Sequence, residues 1–409
     1  MSQHLPRMGR RGAFALHAAI LAVFLGASAV PTPVYPLYQH LWGFPAVTTT
    51  VVFSVYALAL LASLLVVGRL ADHVGTRPVL LVAMAVEVVS MLVFIAAGGV
   101  AGLLVARILQ GVATGAAMSA AGSALMALET ERRRGSAALV NALAAPLGLA
   151  FGAAGASVMV EVLPAPTRLC YLVVAAAVVV LAGLLAFAPR PGAPAPGAWA
   201  SLKPTVSIPA SARGAMGLAM PVAGAIWALG GLYLSLGPAL ARSVTGQDSP
   251  LLGGLALLCL YVPAALAIVV LRPLRDRSIM VIAIIALIGG VSAVVAGVVL
   301  GSPGAYFAGT VAAGVGFGSG YYAALRAILP LGAPQERTGL LSTIYIICYL
   351  SFSLPAVAAG LLVGSMGLRA TTLAYGTLLV SVCLPVLAVL LLRAYRQHRR
   401  CRGRWGVRP

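Results

Sequence analysis

The sequence predicts an all-α integral membrane protein of twelve transmembrane helices, arranged as two pseudo-symmetric six-helix bundles. Three observations predict it: the composition, a regular series of long apolar runs, and short motifs that return at a nearly constant offset. Of 409 residues, 61% are hydrophobic and 9% charged, against about 45–50% and about 25% in soluble domains. Such a chain is solvated by lipid.

The net charge of +19 is not a nucleic-acid footprint, which would gather the basic residues on one folded face. Here they sit in turns and tails. Cys170, Cys259, Cys348, Cys383 and Cys401 show no paired spacing, and four of them fall in apolar runs, where a thiol behaves as a small hydrophobe. No disulfide framework, metal site or cofactor is expected. No phosphate-cradling Gly-x-x-x-x-Gly-Lys loop is present, which excludes ATP-driven pumping by this chain, and no enzymatic constellation stands out.

Arg7, Arg10 and Arg11 precede the first apolar run, about 13–30, which ends at Pro31-Thr32-Pro33. A basic start and the small residues Ala27-Ser28-Ala29 also fit a cleaved signal peptide. The eleven runs that follow, and the symmetry of the halves, favour a retained first helix. Those runs lie near 47–67, 79–98, 101–127, 137–160, 169–188, 215–240, 250–271, 279–300, 304–329, 339–363 and 371–392. Each approaches the roughly 20 residues needed to cross a bilayer.

Of 27 lysines and arginines, only Arg168, Arg242 and Arg369 fall on the side away from the termini, and Arg107 lies within a span. Cytoplasmic loops hold the excess of basic residues, so both termini are expected to be cytoplasmic. The basic tail, 393–409, suits topology retention and attraction to anionic headgroups. Between 190 and 212 the chain turns rich in Pro, Gly and Ala, as a linker does. It separates a first half, 1–189, from a second, 213–392. Leu70-Ala71-Asp72 returns as Leu274-Arg275-Asp276, the glycines Gly111 and Gly115 return as Gly314 and Gly318, and Gly135 matches Gly339. A duplicated six-helix unit places a substrate site near the midplane, where the halves meet.

The loop Gly68-Arg69-Leu70-Ala71-Asp72-His73-Val74-Gly75-Thr76-Arg77-Pro78 joins the second and third runs. Its glycines permit a tight turn, and Asp72 can accept hydrogen bonds from a helix N-terminus or a nearby Arg. It resembles the signature loop of the major facilitator superfamily, Gly-x-x-x-Asp-(Arg/Lys)-x-Gly-Arg-(Arg/Lys). Gly68, Asp72, Gly75 and Arg77 match, whereas His73 and Thr76 depart from basic positions. The resemblance implies a cytoplasmic latch between helices, with Asp276 as its second-half counterpart, and the departures imply a weaker or pH-sensitive one.

In the fourth run, Arg107-Ile108-Leu109-Gln110-Gly111 is similar to the family's Arg-x-x-x-Gly pattern, which implies a role for Arg107 in proton coupling. An Arg within a span costs at least about 2.5–3.5 kcal/mol and needs a partner or a wet cavity. The other reading is an Arg that snorkels to the interface. Glu87 is the acid nearest the middle of a span, and its depth differs from that of Arg107 by about 6 Å at a rise of about 1.5 Å per residue. The two form an intramembrane ion pair on one reading. On the other, Glu87 is protonated and faces Ser90. In the fifth run, Gly148 and Gly152 match the family's antiporter pattern Gly-x-x-x-Gly-Pro-x-x-Gly-Gly, while Ala153 replaces the Pro and Ala156-Ser157 the last glycines. With Gly111 and Gly115, these small residues also serve close helix packing.

Tyr35, Gln110, Asn141, Trp227, Tyr233, Tyr322, Tyr345 and Tyr349 are the candidate substrate contacts, on the runs that line the cavity of this fold. Aromatic rings with a hydroxyl or indole handle suit amphiphilic ligands. The resemblance covers essentially the whole chain and looks most like proton-coupled exporters of drugs or small metabolites. A symporter or facilitator for a neutral nutrient is the alternative, and a lipid scramblase or scaffold is a third class. The expected partners are a small-molecule substrate, protons and the lipid bilayer, with no nucleic acid. The chain is expected to act as a monomer in a bacterial inner membrane.

Overall fold

A computed structural model describes residues 8–133, 135–189, 196–333 and 335–405. Expectations for Arg7, Arg134, Arg190, the 190–195 part of the linker and the tail side chains from Gln397 onward lie outside the described residues. The chain is all-helical: α1 (Arg10–Ala29), α2 (Pro31–Trp42), α3 (Ala46–Val67), α4 (Leu70–Val74), α5 (Thr76–Ala96), α6 (Val100–Leu128), α7 (Ser136–Val162), α8 (Pro166–Leu185), α9 (Ala198–Ser201), α10 (Ala210–Thr245), α11 (Pro250–Leu271), α12 (Asp276–Leu300), α13 (Pro303–Ile328) and α14 (Arg337–Trp405).

One boundary differs from the hydropathy. The first span does not stop at Pro31 but runs on through α2 to Trp42, because Val30 keeps helical angles, φ −53° and ψ −42°. Proline in a first helical turn gives up an N–H that has no intrahelical partner anyway, so Pro31 and Pro33 start a new segment instead of ending the span. Gly43, at φ 64°, ends it in the left-handed region that favours glycine. The last two spans, given together as α14, part at Gly367, whose φ of 80° and ψ of 166° are non-helical, within the gap the hydropathy leaves between them. Among the described residues, counting α1–α2 as one span, α14 as two and the glycine-rich, less apolar α13 as another, with the short α4 and α9 as connectors, gives twelve spans.

The duplication is visible in the packing. A Cβ on Gly111 would run into the Tyr56 carbonyl, and one on Gly314 into the Leu260 carbonyl. One turn on, a Cβ on Gly115 would lie 2.7 Å from the Leu60 carbonyl oxygen, and one on Gly318 would strike that of Ala264. Thus α6 presses on α3 as α13 presses on α11, at one repeat offset. Gly148 and Gly152 pack against Gly26 of α1. In lipid, this backbone contact through small residues is a main source of helix association.

Two apolar cores result. One joins residues of α1 through α8; the other joins α10 through α14 and takes in Ala29, Phe53, Tyr56, Leu60 and Ala153 from the first half. The seam is formed by α3 against α14 and by α7 against α11. It is tightest at the end away from the termini. There a Cβ on Gly254 would lie 2.5 Å from Ser157 Oγ, and one on Gly360 would strike Thr50. Thr32 also donates to the Leu234 carbonyl at 3.0 Å, and Ser54 to that of Ser353 at 3.1 Å. Among the described residues, α6 and α7 make no extensive contact with α13 or α14. The two bundles are therefore held together most closely at the far end.

Candidate functional site

Pro31 has no N–H, so the Ala27 carbonyl one turn earlier loses its usual helical donor. That carbonyl takes the Val30 N–H at 3.2 Å instead, and Gln110 adds a second donor: its Nε2 donates to the Ala27 carbonyl at 3.1 Å and, with its other hydrogen, to Glu87 Oε1 at 3.3 Å. Gln110 Oε1 in turn accepts from Arg107 Nη1 at 2.6 Å. The same nitrogen donates to the Ser28 carbonyl at 2.9 Å, and Arg107 Nε donates to the Tyr35 hydroxyl at 2.7 Å. Glu87, Arg107 and Gln110 are each 0% exposed. One amide therefore bridges a buried acid and a buried cation, and the kinked first span closes around both.

The geometry differs from a direct ion pair. Glu87 and Arg107 meet through Gln110 instead of in direct contact. Ser90 gives its hydroxyl to the Ala106 carbonyl at 2.8 Å. Arg107 does not snorkel, since the rings of Tyr56 (5.0 Å), Tyr35 (5.5 Å) and Phe94 (6.0 Å) surround its guanidinium. Glu87 Oε2 and Arg107 Nη2 remain buried without a hydrogen-bond partner. Such atoms are uncommon in folded proteins, because leaving a buried polar group unpaired costs roughly 1–3 kcal/mol. The equivalent of Arg107 in the second half is Thr310, whose hydroxyl lies 2.7 Å from that of Tyr233. Charge is thus built into the first half's interior, and hydroxyls into the second.

The loop around Asp72 lies at the terminal end. Gly75 takes φ 90° between α4 and α5, an angle that favours glycine. Ser119 donates to the Gly68 carbonyl and Ser123 donates to Asp72 Oδ1 at 3.4 Å, so the loop is fastened to α6, the helix of Arg107. Arg77 is half-exposed. His73 Nδ1 lies 2.9 Å from the Pro196 carbonyl, which ties the loop to the connector before α9. In the second half, Asp276 pairs with Arg326 at 2.7 Å.

Trp227, Tyr345 and Tyr349 come together. Trp227 lies edge-on to Tyr349 at 4.8 Å, and Tyr345 lies 6.4 Å from Tyr349. Tyr321 and Phe352 complete the cluster at 5.4 and 5.7 Å from Trp227. Phe53 of α3 meets Phe352 at 4.8 Å across the seam. The other candidates lie elsewhere. Tyr322 sits under the Arg326 guanidinium at 5.5 Å. Asn141 donates to the Ala137 carbonyl at 3.0 Å. Tyr233 is buried inside the second half against Thr310, and Tyr35 and Gln110 belong to the Arg107 network.

The Major Facilitator Superfamily profile matches residues 16–354. The chain belongs to that superfamily. Among solved structures, the nucleoside transporter NupG is similar at a TM-score of 0.68 and 11% identity, covering 92% of this chain and 99% of that one. The human organic anion transporter MFSD10 (TETRAN) is similar at a TM-score of 0.60 and 16% identity, covering 93% of this chain and 100% of that one. At these identities the likeness is one of fold. No curated protein matches the chain in sequence.

Membership in the Major Facilitator Superfamily makes the chain a multi-pass secondary transporter working by alternating access, with substrate passing between the bundles. Sequence reasoning missed Tyr56, Phe94, Tyr321 and Phe352. For Tyr56 a signal existed. Gly111 and Gly115 imply a helix pressed on α6, and if that helix is the second span, its aromatic residue at this depth must face Arg107.

Proposed function

We propose that the chain is a proton-coupled exporter of small amphiphilic compounds. The observation that carries the reading is the Glu87–Gln110–Arg107 chain, with its unpartnered Glu87 Oε2. A buried carboxylate oxygen without a donor is where a proton adds. Adding it changes the charge seen by Arg107 through one hydrogen-bonded amide. Arg107 and Gln110 both hold carbonyls at the end of α1, just before the Pro31 break, so the proton's arrival bears on the element that packs against α10 across the seam. Such a group biases which state of a two-state carrier is favoured.

The aromatic cluster around Trp227 supplies an apolar, charge-poor wall between the halves, which suits an amphiphilic ligand. The basic loops support an orientation with the termini in the cytoplasm of a bacterial inner membrane. The loops at Asp72 and Asp276 then act on the cytoplasmic side, and the chain works as a monomer.

The test is proton flux in liposomes holding the purified protein under an imposed pH gradient, with lipophilic cations and neutral metabolites added in turn. Proton release against movement of a compound, abolished by Glu87→Gln, is the expected result. A compound that moves with protons in the same direction overturns export in favour of symport. One that equilibrates without proton movement makes the chain a facilitator, and labelled lipid crossing without a gradient makes it a scramblase.

A further inference from the structure

Away from the Glu87 network and the aromatic cluster, a pocket of about 590 Å³ opens at the terminal end of the second half. It lies between the starts of α10 and α12, the end of α13 and the last turns of α14. Its floor is apolar, with Leu218, Met280 and Leu390, and its rim carries Arg277, Arg393 and Arg396. Asp276 also reaches the wall, but its carboxylate is held by Arg326 at 2.7 Å. Arg277 donates to the Leu390 carbonyl, so α12 and α14 are joined at the pocket's edge. Charge and apolar surface are separated within a single cavity.

We propose that this pocket binds an anionic phospholipid, its phosphate against Arg277, Arg393 and Arg396 and an acyl chain along the Leu218–Met280–Leu390 floor. The ligand class follows from three features taken together. The rim is net positive, which selects against neutral and zwitterionic heads. Guanidinium groups suit phosphate oxygens in particular, through paired N–H donors. The floor suits a hydrocarbon chain, which a soluble phosphate lacks. The pocket also sits where α10, α12 and α14 leave their apolar runs, at the depth of lipid headgroups. Basic recesses between spans at that depth hold anionic heads. A bound head bridges α12 to α14 beside the Asp276–Arg326 pair, so it firms the terminal end of this half.

The test is thermal unfolding of the full chain in neutral detergent with short-chain phosphatidylglycerol, matched phosphatidylcholine or inorganic phosphate added. A ligand that binds only the folded form raises the midpoint with concentration. Phosphatidylglycerol raises it, and phosphatidylcholine and inorganic phosphate do not. The double variant Arg393→Gln/Arg396→Gln loses most of the shift. Arg132→Gln/Arg133→Gln removes the same charge from the exposed turn between α6 and α7 and keeps the shift whole. Gly214→Trp also abolishes it: a Cβ at Gly214 has no atom within 4 Å, so the new ring enters the pocket mouth without a backbone collision. Equal losses in the two double variants overturn the proposal in favour of diffuse attraction. A matching shift from inorganic phosphate overturns the lipid in favour of a soluble anion. A full shift retained in Gly214→Trp places the lipid elsewhere.

Discussion

Arg326 lies 2.7 Å from Asp276 at the place where the first half sets Ser123 3.4 Å from Asp72. The repeat that carries Asp72 to Asp276 carries Ser123 to Arg326, so the two terminal loops follow one plan with different chemistry. A neutral hydroxyl fastens the first and an ion pair the second.

Ser123→Arg should therefore give the first half the pair that the second already has. Arg326 and Asp276 are 35% and 39% exposed, so such a pair is worth at most about 1 kcal/mol and is screened by salt. The thermal midpoint of Ser123→Arg should rise slightly at low ionic strength, that of Arg326→Ser should fall, and both differences should shrink in high salt. Differences that persist unchanged in high salt would point to packing instead of charge.

Gly115→Ala and Gly318→Ala should both weaken the fold, each by about 1–3 kcal/mol, because the added methyl meets a backbone carbonyl that cannot step aside. Their losses should be similar, since Leu60 and Ala264 occupy equivalent places on α3 and α11. Gly155→Ala is the contrast: a Cβ there has nothing within 4 Å. It should be neutral or gain up to about 1 kcal/mol of helix propensity. Unfolding midpoints of the three variants decide the matter, and an equal loss at Gly155 would remove close packing as the cause.

The spans and the duplication were legible because they rest on signals spread over many residues: hydropathy along a run, glycines at a fixed offset. The site was legible only in part. Arg107 and Glu87 stood out as ionisable groups in apolar runs, but Gln110 drew notice as a substrate contact and not as the bridge between them. That role depends on the Ala27 carbonyl on another helix, freed by Pro31 from its usual i+4 donor and open to a second bond beside that from Val30, and the hydropathy, reading Pro31 as a stop, hid that α1 continues into α2. The aromatic candidates divided for a similar reason. Tyr321 and Tyr322 are neighbours in sequence about 100° apart on α13, so Tyr321 joins Trp227 while Tyr322 turns to Arg326.

The turn between α6 and α7 carries an acid-sensitive contact. Glu129 Oε1 accepts from the Ala137 N–H at 3.2 Å and from the Ser136 hydroxyl at 3.3 Å. The backbone N–H of Ala137, at the start of α7, holds the carboxyl below its ordinary value of 4.5. A depressed carboxylate contributes stability above that ordinary value and loses it as pH falls through the lower folded value. The wild-type midpoint should therefore decline below about pH 4.5 more than that of Glu129→Gln, and the two should converge at the acid end. Parallel curves across that range would leave Glu129 without a part in acid stability.

Gln110→Leu and Glu87→Gln separate structure from coupling at the Arg107 network. The leucine removes the amide that the Ala27 carbonyl, Arg107 and Glu87 all use; the Ala27 carbonyl keeps the Val30 N–H and Arg107 the Ser28 carbonyl, while the Glu87 carboxyl loses its Gln110 donor at roughly 1–3 kcal/mol. Glu87→Gln keeps the shape and a carbonyl oxygen that accepts from Gln110, while removing the carboxylate proposed to take up a proton. Gln110→Leu should thus lower the unfolding midpoint and transport together. Glu87→Gln should leave the midpoint close to wild type and uncouple substrate movement from the pH gradient. If Glu87→Gln instead destabilises as much as Gln110→Leu while transport still follows the gradient, the carboxylate serves to hold Gln110, and the titrating group lies elsewhere in the chain.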